Sequence, residues 1–188
     1  MMSWGDHSQF GHRDSRREPT KSAVIGLLCA ALGLPRWEPV DDLASLKMGV
    51  RVNKEGILQK DYHTVQDNMR DDGKKVNTTL SYRYYVADAD YLVGLEGEAD
   101  LLSQLDAALQ APHWQLYLGR KSFIPSHPIR IGIVDEPLLP ALQNQVYEHR
   151  GRKKHPPFPL RLVLEAADGM DTRQDVPLDW QSRRFGRR

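Results

Sequence analysis

Cysteine is almost absent: Cys29 is the only one in 188 residues. No internal disulfide can form, which fits a reducing compartment such as the cytoplasm. Cys29 lies in an apolar stretch and reads as a small core residue. Long apolar runs are also missing. The longest, residues 23–34, is broken by Gly26 and Gly33 and falls short of the ~20 residues needed to cross a bilayer. It reads as a buried helix, and no membrane is expected as a partner. Residues 1–9 lack the apolar core of a signal peptide. There is no H-x-x-x-H, no cysteine pair and no compact carboxylate set, so neither metal nor cofactor is expected. Repeats and low-complexity tracts are missing too.

What is present is ordinary in bulk and uneven in detail. Hydrophobic residues make up 40% of the chain, enough for a core, and charged residues 27%. The formal net charge of +1 hides an asymmetry. Residues 88–106 hold six acids and no Lys or Arg. Residues 150–188 hold ten basic residues against five acidic, a net of +5. Such a split points to a polyanion-facing side and a solvated side; the plain alternative is a basic tail with no partner.

Hydrophobic spacing gives the elements. Residues 1–19 are polar and read as a loop. Thr20 or Ser22 caps a helix that Gly33 ends, apolar nearly all round and buried against a sheet. Residues 48–52 alternate as a strand, and Lys54-Glu55-Gly56 reads as a hairpin turn into a second strand from Ile57. The polar run 66–77 reads as the tip of a long, mobile excursion. Residues 78–85, β-branched and aromatic, return as a strand. Residues 91–95 predict a strand and 98–110 an amphipathic helix. Further on come a strand at 130–134, a short helix at 137–147, a basic proline-rich loop at 151–159, a strand at 160–164 and an irregular basic end at 175–188. The order resembles a split β-α-β pattern whose first strand is absent, since residues 1–19 offer none before the helix.

Three constellations carry chemistry. Arg16, Arg17, Thr20, Lys21 and Ser22 gather at a helix start, where free N–H groups and the positive dipole end favour an anion. The G-x-x-x-x-G-K-[ST] spacing of a Walker loop is missing, and capping with solvated arginines is the plain alternative. Asp61-Tyr62-His63-Thr64 and Ser81-Tyr82-Arg83-Tyr84-Tyr85 can face each other across an antiparallel pair. Aromatics alternating with cations stack unpaired bases and hold phosphates between them. Cross-strand aromatic packing is the alternative there. Tyr117-Leu118-Gly119-Arg120-Lys121-Ser122, followed by Pro125 and His127-Pro128, combines a close backbone approach with charge and suits an RNA backbone; a charged turn held by prolines is the alternative. A metal-free ribonuclease would need a base near a 2′-hydroxyl and a cation near the phosphate. His63 or His127 with Lys121 and a tyrosine offers those groups, but no spacing picks out a pair.

Taken in order, Met2-Ser3-Trp4-Gly5, Pro19-Thr20-Lys21-Ser22 with Gly26-Leu27-Leu28, Asp61-Tyr62-His63-Thr64-Val65, and the segment from Tyr117 to Ser122 with Pro125 and His127-Pro128 resemble the CasD family. These are subunits of Cascade, the type I-E CRISPR surveillance complex, that hold the 5′ end of the guide RNA. The resemblance implies an α+β fold: a single ferredoxin-like (RRM-like, RAMP) domain over 1–188 with a β-hairpin thumb over about 58–87 and a basic irregular part at 150–188. Family members normally have a β-strand before the Met2-to-Gly5 segment. The resemblance further implies a non-catalytic subunit that binds the 5′ handle of CRISPR RNA, contacts the backbone and large subunits, and meets target DNA only through the complex. It lays the 5′ handle across the helix start at Lys21-Ser22, the base of the thumb and the loop Gly119-Arg120-Lys121; together with the constellations above, the candidate RNA-facing residues are Trp4, Arg16, Arg17, Thr20, Lys21, Ser22, Tyr62, His63, Thr64, Tyr82, Arg83, Tyr117, Gly119, Arg120, Lys121, Ser122 and His127. A sister branch, in type I-C systems, is a metal-independent endoribonuclease, and that is the alternative function. A general single-strand binder without handle specificity is a third.

Overall fold

The computed structural model describes residues 1–5, 11–69, 72–147, 159–166 and 168–188. Most of the basic loop expected at 151–159 lies outside these residues.

Helix α1 (Lys21–Leu32) starts where the Thr20 side chain accepts from the Ala23 N–H, and it stops at Gly33 in the left-handed conformation. Its Ile25, Leu28, Cys29 and Ala31 are buried. They pack with Val40, with Leu43 of α2 (Asp41–Ser45), with Leu46 and with Leu105 of α3 (Ala99–Gln110). The periodic leucines of α3 are therefore the other half of a helical layer. That layer covers one face of a central antiparallel sheet. Its strand order is β5 (Asp90–Glu96), β2 (Lys47–Lys54), β6 (Arg161–Leu164).

β2 is buried on both faces, and side-chain alternation explains how. Met48, Val50 and Val52 pack on the α1 side, with Val24 among their neighbours. Gly49 and its partner Gly94 on β5 face the other way. A Cβ on either glycine would lie 2.7 Å from leucine side chains, Leu138 or Leu142 of α4 (Leu138–Asn144) among them. The glycine pair is what lets α4 sit directly on the sheet. Arg51, on the same side, is buried and donates to the carbonyls of Leu142 and Gln145, both at 2.7 Å, satisfying the end of that helix.

The excursion is a single long hairpin. β3 (Ile57–Met69) and β4 (Lys75–Ala87) pair from Ile57↔Ala87 to Met69↔Lys75. Regular pairing thus runs well into the stretch read as a polar tip. Lys54-Glu55-Gly56 is not a hairpin turn, because β2 pairs with β5 and β6 rather than with β3. It is the corner where the chain leaves the sheet, with Gly56 at φ 71° packed close to Ala87 and Ala89. β1 (His12–Arg13) runs parallel to β4 on its outer edge. Among the described residues no strand ahead of α1 joins the central sheet.

Two other expectations change. Residues 130–134 form no strand: no described partner offers a ladder, and Ile131, Ile133 and Val134 stay more than half exposed. The end of the chain is not irregular. β7 (Val176–Asp179) and β8 (Arg184–Gly186) make a hairpin that packs on α1 through Trp180. Ion pairs tie this end down: Arg173 and Arg161 to Glu18, and Arg188 to Glu165 and Asp175. No helix among the described residues is long and apolar enough to cross a membrane.

Candidate nucleic-acid interface

The base of the long hairpin gathers most of the expected site. Directly paired residues share a face and neighbours along a strand alternate, so register alone assigns the faces. Tyr62 pairs with Tyr82, Lys60 with Tyr84, and Tyr82 also with His12 of β1. These stand on one face, with Thr64. The rings of Tyr62 and Tyr82 lie 5.5 Å apart, those of His12 and Tyr84 5.3 Å apart, and Lys60 Nζ sits 5.1 Å from the Tyr82 ring centre. Tyr62 is 58% exposed and Tyr82 36%. The result is an open aromatic row with a cation on it, chemistry that stacks bases.

The opposite face is charged. Asp61 pairs with Arg83 and His63 with Ser81. His63 Nε2 lies 3.7 Å from Asp61. The loop from Tyr117 crosses this face. Arg120 donates to the Tyr84 carbonyl at 2.6 Å, lies 3.6 Å from Asp61 and covers the Phe123 ring. Tyr117 is half-buried, while Lys121 and Ser122 are exposed at the turn. Gly119, at φ 85°, backs onto the N-terminal segment, and a Cβ there would fall 1.8 Å from the Ser3 carbonyl oxygen. Its close approach is therefore to the chain itself.

The helix start behaves differently from expectation. Thr20 and Lys21 are buried. The Lys21 N–H donates to Asp175 at 2.8 Å and its ammonium pairs with Glu165 at 3.1 Å. Arg188 holds Asp175 from the other side at 2.6 and 2.9 Å. An internal carboxylate thus takes the place foreseen for a phosphate, as the helix dipole favours. Ser22 is half-buried and leans on the Thr20 hydroxyl at 3.4 Å. Arg16 is half-buried, its N–H bonded to the Trp4 carbonyl. Arg17 is exposed, and its carbonyl accepts from the Tyr91 hydroxyl. Burial and the charges of Glu55 and Glu18 push the Tyr91 phenol up. Trp4 is 4% exposed and edge-on to Tyr91, so it is a core ring and not a stacking platform. Its Nε1 is buried without a hydrogen-bond partner among the described residues.

His127 stands apart. It lines a shallow cleft with Leu109, Trp114, Ile124 and Arg130. His127 lines that cleft and His63 does not. Among the described residues no group of three or more His, Cys, Asp or Glu is placed to hold a metal. His12, Arg13 and Lys60 escaped the sequence reading. Lys60 had a signal, two positions before Tyr62 in an alternating run. His12 and Arg13 had none, because only the tertiary pairing of β1 brings them to the hairpin.

Comparison with known proteins bears on the family and the fold. The chain is 32% identical over 151 residues to "CRISPR system Cascade subunit CasD" of Escherichia coli (strain K12). The match covers 70% of this chain and 66% of that protein, just under two thirds of the relative's length. A solved structure described as "CRISPR RNA-guided surveillance complex" matches all of this chain and 83% of its own, with a TM-score of 0.83 and 30% identity. Another, "Crystal structure of Cas protein", matches all of this chain and 86% of its own, with a TM-score of 0.80 and 44% identity. The family described as "CRISPR-associated protein (Cas_Cas5)" matches residues 1–188. With an α+β fold shared with these structures and the family pattern spanning its whole length, the chain belongs to the CRISPR-associated Cas5 family.

Proposed function

We propose that the protein is a non-catalytic subunit of a type I-E CRISPR Cascade complex that binds the 5′ handle of CRISPR RNA and contacts the backbone subunits. One observation carries the RNA part: the exposed row of Tyr62, Tyr82, Lys60 and the His12–Tyr84 pair on the hairpin. Unpaired bases stack on such rings without strong sequence demands, while neighbouring arginines hold the backbone. The likeness to a Cascade subunit supports the assembly part. The long hairpin projecting from the sheet is the element suited to reach a neighbouring subunit. We read the fold as ferredoxin-like, with the open edge of β5 as the place where a further strand would pair.

The test is incubation of the purified chain with labelled CRISPR repeat RNA in EDTA, followed by a cleavage gel and a binding titration. Handle binding without cleavage, competed poorly by unrelated RNA, is the expected result. Cleavage at one position near the 3′ side of the repeat would replace this reading with the endoribonuclease one. Equal competition by any single strand would reduce it to a general binder.

A further inference from the structure

The charged face of the hairpin base holds more positive charge than the fold compensates. Arg13 and Arg83 are register partners in the parallel β1–β4 pairing, so their side chains leave the same face from adjacent strands, about 5 Å apart. Asp61 lies directly opposite Arg83 on β3. Arg120 arrives from a third segment and reaches the same carboxylate at 3.6 Å. Arg13, Arg83 and Arg120 therefore share one face with Asp61, and of the three only Arg120 reaches it. Asp14, the acid next to Arg13, points elsewhere, its carboxylate lying beside Gly5. Arg13 is exposed, and its side chain makes no hydrogen bond or ion pair among the described residues. The Arg83 side chain bonds sideways, Nε to the Ser81 hydroxyl at 3.3 Å. Burial first, then the charges of Arg83 and Arg13, lower the proton affinity of Arg120, with Asp61 opposing them.

Three like charges with one carboxylate among them are unfavourable, and a fold gains nothing from assembling them. Their arrangement makes sense once an anion joins. Guanidinium forks match phosphate oxygens geometrically, and three supplied by two strands and a loop suit one phosphate better than a flat carboxylate. We infer that Arg13, Arg83 and Arg120 form one seat for a single backbone phosphate of the bound RNA, on the hairpin face opposite the tyrosine row. This deepens the RNA-binding reading and rests on it. It also adds Arg13 to the interface and gives the strand a path: bases stack on one face, and the backbone is pinned where the chain crosses to the other.

The test is the salt dependence of repeat-RNA binding by the full chain, for wild type, Arg13→Gln, Arg83→Gln and the double variant, with melting of each protein without RNA as a control. One phosphate contact on a single strand contributes about 0.7 to the slope of log affinity against log salt. Each single variant should bind about five- to tenfold more weakly at ~100 mM salt and lose up to about 0.7 of slope. The double variant should lose no more slope than that, because only one phosphate is at stake. Arg13→Gln alone should melt at or above the wild-type temperature, since a repulsion is relieved. Additive slope losses would mean separate phosphates and overturn the shared seat. Unchanged slopes with wild-type RNA binding intact would overturn it while leaving the RNA-binding reading in place. A clear drop in melting for Arg13→Gln would make the residue a structural brace. Failure of the wild type to bind repeat RNA would remove both readings together.

Discussion

Asp175 is the residue whose loss should unsettle the fold most for the smallest change in shape. It is 1% exposed and serves two elements at once. It accepts from the Lys21 N–H at the start of α1 and receives two bonds from Arg188 at 2.6 and 2.9 Å. Asp175→Asn keeps the volume but removes the charge and turns an amide toward the guanidinium. Breaking a buried ion pair by removing one partner costs about 3–5 kcal/mol, because the other charge stays buried and uncompensated. For a chain of this length each kcal/mol shifts melting by about 2–4 °C, so a fall of roughly 6–20 °C is expected. Circular-dichroism melting near neutral pH reads it directly. The pH dependence adds a second check. Burial alone pushes the Asp175 carboxyl up, but the Arg188 bonds, the Lys21 N–H and the charges of Arg188 and Arg173 outweigh it and hold the carboxyl below the usual aspartate range. The folded value lies below the unfolded one, near 3.9, so the stabilisation is full above that pH and is lost as pH falls through the folded value. Wild type should therefore lose melting temperature below about pH 4, and Asp175→Asn should lose less over the same range. A variant melting within about 2 °C of wild type would refute the claim that this carboxylate holds the chain end on α1.

The interface gives two further predictions. Tyr62→Ala and Tyr82→Ala should each weaken RNA binding by about 1–3 kcal/mol, the range for one stacked base, with the salt slope unchanged. Loss of slope instead of affinity, measured by titration at several salt concentrations, would show that these rings do not stack. Gly119→Ala should drive the loop off the N-terminal segment, because its Cβ would fall 1.8 Å from the Ser3 carbonyl oxygen at a φ of 85°. A cost of about 1–3 kcal/mol in a denaturant titration and faster proteolysis of the first residues are expected; wild-type stability would contradict the close packing.

Much of the fold was legible in local chemistry. Thr20 and Gly33 bracket α1, and the leucine spacing of residues 98–110 marks α3, because caps and helical periodicity depend on neighbours a few positions away. That the segments 61–64 and 81–85 face each other was readable too, while the register that sets Tyr62 against Tyr82 came from the structure. What tertiary structure alone decided is where local potential goes. Lys21 and Thr20 have the composition of an anion site, yet Asp175, 154 residues away, fills it from within. Residues 130–134 have strand chemistry but no described ladder partner, and propensity cannot supply one. Trp4 has the ring of a stacking platform and is buried instead, and His12 and Arg13 reach the hairpin through a pairing some 70 residues distant. Sequence fixes which groups are available within a turn or a strand. Only long-range packing determines which of them are consumed internally and which remain for a partner, because burial and charge pairing are set by neighbours far along the chain.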